Sequence, residues 1–386
     1  MSFTTNRTRL TSGAIAVRRG ATLSLAALLL CTPHLAAPND EHLARALREI
    51  TPAALEADLS FLASDALAGR DTPSPGLETA AEFIASRFRG AGLEGPVNGS
   101  YFQCADLTQA AQNEAARQHF KLAHQPVVGR NVIGVLRGSD PKLRNTYVIV
   151  SAHYDHIGTR DTADGRTAEK PGNQADRIYN GANDDASGAV SLIALAQALS
   201  HLKPGPKRSI VFLAFCGEEL GLLGSRFYAD HPVLPLRNTI ADINLEQIGR
   251  TDGDIKKGSA SLTGFDYTSL GALLVQAGTK YGLRIYQDAG SSRYFRASDN
   301  LSFARLGIPD TTICTSFEFP DYHGLKDEWQ KIDYPALVIV SRVVGDVLWR
   351  LANCEIPPVW NSSLPATQRY RQAANRTYGE ERSGSL

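Results

Sequence analysis

From Asn131 onward, short runs rich in Val, Ile and Leu and without strict apolar–polar alternation alternate with helical stretches: NVIGVLRG, YVIVSAH, SIVFLAFCG, TIADINLEQIG and TTICTSFEF. A strand without apolar–polar alternation must be covered on both faces, and strand–helix–strand order supplies the helices that cover it. These residues are therefore constrained to the α/β class, with a mixed, mostly parallel central sheet and helices on both faces. SGAVSLIALAQALSHL, the stretch from Ser269 to Tyr281 and that from Leu337 to Leu351 read as the helices.

Upstream, residues 41–94 read as helical. Leu55, Leu59 and Leu62 fall at i, i+4 and i+7 behind Thr51-Pro52, a capping residue followed by proline at the first helical position. A second helix is expected from about Leu77 to Phe88, closing at Gly90 and Gly92, and SDALAGRDTPSPG between the two reads as a polar loop. Residues 97–127 show no assignable pattern. After Cys354 the chain turns polar, with Pro357, Pro358 and Pro365, so residues 355–386 are expected to form a loosely ordered tail.

The first 37 residues carry Arg7, Arg9, Arg18 and Arg19, then the apolar run ATLSLAALLL, then small residues ending at Ala36-Ala37. That order is expected of a cleavable signal peptide over residues 1–37. Its apolar core is about half of the roughly 20 residues a spanning helix needs, so no stable membrane span is expected after cleavage. The protein is expected to be exported, periplasmic or secreted. Cys104, Cys216, Cys314 and Cys354 would then meet an oxidising compartment, with their pairing open, and the lack of CxxC spacing argues against a cysteine metal site. Lys+Arg and Asp+Glu balance at 40 each without a basic stripe, so no nucleic-acid partner is expected.

Each strand end from residue 150 onward carries a group that can hold a metal. YVIVSAHYDH offers His153 and Asp155, YNGANDDASG offers Asp184 and Asp185, SIVFLAFCGEE ends on Glu218 and Glu219, NLEQIG carries Glu246, and PDYHG carries His323. In open α/β sheets ligands gather beyond the carboxyl ends of the strands, so residues far apart in sequence converge there. Taken singly each signal is weak: a lone His is more often structural, an Asp in a turn bonds its own backbone, and paired glutamates suit a helix start. Recurrence at successive strand ends points to a metal, and mixed imidazole and carboxylate donors suit zinc, with manganese or cobalt as substitutes. Neighbouring side chains leaving a strand diverge, so one glutamate can hold metal while the other faces water.

In order, spacing and flanking residues these motifs resemble the M28 zinc aminopeptidases. The match runs from about Leu59 to Ile332 and includes SFLASDALAGRDTPSPGLETAAEFIASRF, SAHYDH, YNGANDDASG, FCGEELGLLGS, SDNLSFARLGIP and DYHG. The resemblance implies one peptidase domain over residues 40–354, with helices 41–94 packed on an α/β core of residues 128–354, and two Zn2+ ions. It implies that His153 and Glu246 bind one zinc, Glu219 and His323 the other, and that Asp184 bridges them. Glu218 would be the general base for the zinc-bound water, Tyr322 would steady the oxyanion, Asp155 would orient the His153 imidazole, and the Asp184-Asp185 bond would be cis. One position departs from the pattern: the family usually has Asp where this chain has Glu246, a side chain one methylene longer that either reaches the metal or turns away. Ser298, Asp299 and Asn300 are expected to cap a helix beginning near Leu301.

The expected function is that of an aminopeptidase, a metal-dependent exopeptidase acting on peptides with a free N-terminus. The alternatives are a carboxypeptidase or dipeptidase of the M20 type, a glutaminyl cyclase, which shares the fold but uses one zinc, and a pseudopeptidase that only binds. Retention of His153, His323 and the glutamate pair favours an enzyme with two metals.

Overall fold

The computed structural model describes residues 40–163, 166, 176–287 and 291–379. The expected signal peptide and the last seven residues of the expected tail lie outside them. Among the described residues, no helix is long and apolar enough to cross a membrane. Cys104, Cys216, Cys314 and Cys354 are unpaired.

Eight strands form one sheet: β1 (Phe102–Asp106), β2 (Val128–Leu136), β3 (Tyr147–His153), β4 (Ser209–Phe215), β5 (Thr239–Leu245), β6 (Ser259–Leu262), β7 (Arg284–Tyr286) and β8 (Asp310–Cys314). Their order is β1-β2-β4-β3-β5-β8-β6-β7. The central four, β4, β3, β5 and β8, are parallel, and antiparallel pairings of β1 with β2, β2 with β4 and β6 with β8 flank them. Segment 137–146 is too short for a crossover helix, and β2 and β3, lying on either side of β4, run in opposite directions and need none.

Every residue of β3, β4 and β5 is buried, including Ser151, Asp242 and Asn244, the last two both bonded by Ser151 Oγ. Along β4, Ile210, Phe212 and Ala214 pack into the larger core with helices Ser187–Ser200 and Tyr334–Asn353. Val211, Leu213 and Phe215 face a second cluster containing Tyr228 and Phe303, from helices Leu223–Asp230 and Asn300–Ala304. Helices thus cover both faces. Residues 97–127 hold the edge strand β1 and a helix, Thr108–Gln118.

The helix Pro52–Leu62 starts where expected, with Thr51 Oγ1 accepting from Ala54 N at 3.3 Å. The next one, Pro75–Gly90, starts earlier than Leu77, because Ser74 caps it, accepting from Leu77 N at 3.0 Å, and Pro75 takes the first helical position. The stretch between them is not a polar surface loop: Leu67, Arg70, Asp71 and Thr72 are buried. Arg70, 1% exposed, is bonded to backbone carbonyls from three segments. Its Nε donates to Tyr154 O at 2.8 Å, Nη1 to Leu62 O at 2.5 Å and Asn180 O at 2.7 Å, and Nη2 to Gly181 O at 2.9 Å. Burial lowers its pKa to about 10 against the pull of Asp155, Asp327, Asp184 and Asp185, so it stays cationic at neutral pH.

The expectation of a loosely ordered tail is corrected over residues 355–379. Gln368–Tyr378 is a helix whose Tyr370, Ala373 and Ala374 are buried. The Trp360 ring stacks on Tyr370 at 4.9 Å, Trp360 Nε1 donates to Gly307 O at 2.8 Å, and Tyr378 Oη to Thr239 O at 2.5 Å. Gly307 makes the approach possible, since a Cβ there would lie 2.0 Å from Ala374 N. Composition misled because it averages over a turn: Tyr370, Ala373, Ala374 and Tyr378 recur at helical spacing among arginines and glutamines.

Replacing Arg70 by leucine removes a buried cation and strands four carbonyls. Urea unfolding should show a loss of about 3–5 kcal/mol, and Arg70→Lys, with one donor group in place of a fork, should recover only part of it.

Candidate metal centre

His153 ends β3, Glu246 directly follows β5, Glu218 and Glu219 lie just past β4, and His323 sits in the segment after β8. Asp184 occupies the turn that leads into helix Ser187–Ser200. The carboxyl ends of four parallel strands thus bring together all six residues. Asp184 lies between two imidazoles, with Oδ1 3.2 Å from His153 Nε2 and Oδ2 3.3 Å from His323 Nε2. Glu246 Oε1 is 3.5 Å from His153 Nε2, and Glu219 Oε2 is 3.2 Å from His323 Nε2.

These spacings fit a metal better than a hydrogen-bonded cluster. Donors around a tetrahedral ion at roughly 2.0–2.1 Å stand about 3.3–3.4 Å apart, and these four pairs, at 3.2–3.5 Å, bracket that spacing. His153 Nε2 is buried and makes no aligned hydrogen bond, as expected of an atom aimed at an ion. His153, Asp184 and Glu246 form one group with the spacing of a metal site, and His156, Asp184 and Glu219 another. The longer Glu246 does not turn away: Oε1 faces His153, and Oε2 accepts from Ser298 Oγ at 2.6 Å.

The electrostatics point the same way. Burial and the Glu219 charge push Asp184 up, but its contacts with His153 and His323 win and hold its carboxyl at about 2. Burial pulls both imidazoles down, yet the surrounding carboxylates hold them well above the usual histidine range. Burial, reinforced by Glu246 and Glu219 and opposed by His153, pushes Glu218 well above the usual carboxylate range. So many carboxylates in one buried place call for cations beyond what two or three imidazoles supply.

The Asp184-Asp185 peptide is cis. Its turn is clamped by Asp185 itself and by Asp327 and Asn183, which sequence reasoning did not single out. Asp327 accepts from Asn183 N at 3.0 Å and Asp184 N at 3.1 Å, and Asn183 Oδ1 accepts from Gly249 N at 2.8 Å. Asp185 accepts from Gly188 N and Gln247 N, both at 3.1 Å. His323 adopts a left-handed φ of 50°, and its Nδ1 meets Arg166 O at 2.7 Å, which turns Nε2 toward Asp184 and Glu219.

One expectation changes and one gains a second part. Asp155, expected to orient His153, has its carboxylate 3.6 Å from His153 Nδ1, which also meets the Asp155 backbone carbonyl at 3.2 Å. The same carboxylate accepts from Glu218 N at 3.1 Å, Glu219 N at 3.4 Å and Thr72 Oγ1 at 3.3 Å, so it fixes the glutamate pair as well. Ser298, Asp299 and Asn300 do not cap the helix that follows them, which shows no side-chain cap. Ser298 is spent on Glu246, Asn300 bonds Phe295 O and Thr312 Oγ1, and Asp299 is wholly buried, its carboxyl raised by burial to about 7. Tyr322 is 38% exposed at the rim, its ring stacked on His323 with centroids 4.1 Å apart.

The family model described as Peptidase family M28 matches residues 131–348, more than half of the chain. A probable zinc metalloprotease of the fungus Pyrenophora teres f. teres is 30% identical over 341 residues, covering 83% of this chain and 68% of that one. The chain spans only 41% of the length of another probable zinc metalloprotease from the same fungus. Among solved structures, a zinc aminopeptidase from Bacillus subtilis is similar with a TM-score of 0.58 at 16% identity, covering 78% of this chain and 95% of that one. A glutaminyl cyclase from Porphyromonas gingivalis is similar with a TM-score of 0.58 at 19% identity, covering 78% and 98%. At such identities the likeness is one of fold.

Because Asp184 faces both donor groups and Glu246 only the first, Asp184→Asn should lower zinc content further than Glu246→Ala, which elemental analysis of the dialysed protein can measure.

Proposed function

Because the chain belongs to peptidase family M28, we propose that it is a metal-dependent exopeptidase that removes N-terminal residues from peptides and holds two zinc ions. The observation that carries this reading is the division of Asp184, one oxygen toward His153 and the other toward His323, with Glu246 completing the first group and Glu219 the second. Zinc so held supplies a positive field that polarises a peptide carbonyl and eases deprotonation of water.

Glu218 is the general base of this reading. Its backbone N–H is anchored to Asp155, and burial, opposed by the nearby His153, raises its proton affinity toward the range where a carboxylate both accepts and returns a proton. It takes the proton from the attacking water and passes it to the leaving amine. In this reading Tyr322, its ring stacked on His323 at the rim, donates its hydroxyl to the developing oxyanion. Asp155 serves through the backbone of Glu218 and Glu219. The substrates in this reading are peptides with a free N-terminus, and the arginine-then-apolar start of the chain supports export of the enzyme to a periplasmic or extracellular site.

Two outcomes test the proposal. Glu218→Gln should keep its zinc and lose about 100- to 10,000-fold in turnover, and near-normal activity would remove Glu218 from the role of base. The zinc-loaded enzyme should cleave free peptides and spare their N-acetylated forms. Equal cleavage of both would exclude an aminopeptidase, and cyclisation of N-terminal glutamine with one zinc bound would favour the cyclase reading.

A further inference from the structure

His156, three residues beyond His153, has no part in the reading above, yet it is wholly buried beside the centre. Its Nδ1 lies 2.8 Å from Glu219 Oε1, and its ring meets that of His323 edge-on with centroids 5.5 Å apart. The approach to Glu219 is oblique, and neither ring nitrogen nor Glu219 Oε1 has an aligned hydrogen bond, with one another or elsewhere. A carboxylate only accepts, and a buried imidazole without other partners satisfies its N–H by donating to the oxygen in reach. The backbone makes room for the ring: Gly181 has a φ of +56°, and a Cβ there would lie 2.4 Å from His156 Cγ.

The two oxygens of Glu219 are thereby divided. Oε2 stands 3.2 Å from His323 Nε2, at the spacing of co-ligands, whereas Oε1 stands 2.8 Å from His156 Nδ1, nearer than two donors on one tetrahedral ion and at hydrogen-bond distance. We propose that His156 is a positioning residue for the metal held by Asp184, Glu219 and His323: its Nδ1–H engages Glu219 Oε1 and so presents Oε2 alone to the ion. The inference rests on the two-zinc reading and adds a requirement to one of its two positions.

Partners that orient a metal ligand are worth about 10- to 100-fold in metal affinity. Titration of the metal-free protein with zinc against a competing chelator should show His156→Ala binding one zinc with wild-type affinity and the other about 10- to 100-fold more weakly. His156→Asn, whose amide N–H can stand where Nδ1–H does, should recover most of that loss, and cobalt-loaded His156→Asn should keep the wild-type visible spectrum. Unfolding of the metal-free variants should match wild type, separating weaker binding from a damaged fold. Two zinc ions held by His156→Ala as tightly as by wild type would overturn the inference. So would a cobalt spectrum that changes in His156→Asn without recovery of affinity, which would make His156 a direct ligand. A wild-type protein that takes up only one zinc would instead remove the two-zinc reading itself.

Discussion

The guanidinium of Arg70 holds the N-terminal helices, the end of β3 and the turn carrying Asp184 in one frame. All its acceptors are main-chain carbonyls, so the link does not depend on the side chains of the segments it joins. Burying a cation costs several kcal/mol unless its donors are met, and here four carbonyls and the field of nearby aspartates meet that cost. Tyr154 follows His153 directly and Gly181 lies one turn ahead of Asp184, so the separation of those two donors depends on where Arg70 sits.

Around that cation the carboxylates divide by what they accept from. Asp155, Asp185 and Asp327 take backbone N–H groups and shape loops. Asp184, Glu219 and Glu246 face imidazole nitrogens and present the charge. Residue type alone cannot assign an acidic side chain to either set, because the two differ only in which atoms lie within about 3 Å.

Much of this was legible in the amino-acid order, for physical reasons. A strand buried on both faces is rich in apolar residues and keeps the few polar ones paired, as Ser151 is with Asp242 and Asn244, so β3, β4 and β5 announced themselves, and their ends located His153, Glu219 and Glu246. Thr51-Pro52 marked a helix start because cap chemistry is local. The Ser74-Pro75 start carried the same signature two residues ahead of the expected Leu77. What stayed hidden depends on long-range partners. Ser298 looks like a helix cap until Glu246 reaches it across the sheet. Asp155 sits two residues from His153, but its carboxylate is engaged by the exit from β4. His156 follows a strand like many structural histidines, and only the fold brings Glu219 to it. The edge strand β1 and the helix Thr108–Gln118 bury too little to impose an apolar period.

The packing of residues 355–379 has a further consequence. This segment attaches at Thr239, where β5 begins, and at Gly307, just ahead of β8, while Arg208, just ahead of β4, bonds Cys354 O. These are the amino ends of the same strands whose carboxyl ends carry the donors. The molecule therefore has a chemical pole and a fastening pole, separated by the length of the sheet. Sequence change at the fastening pole can reach the donors through the parallel strands, or through Phe295, which packs on Trp360 and Tyr370 while Asn300, two residues past the Ser298 that bonds Glu246, holds its carbonyl.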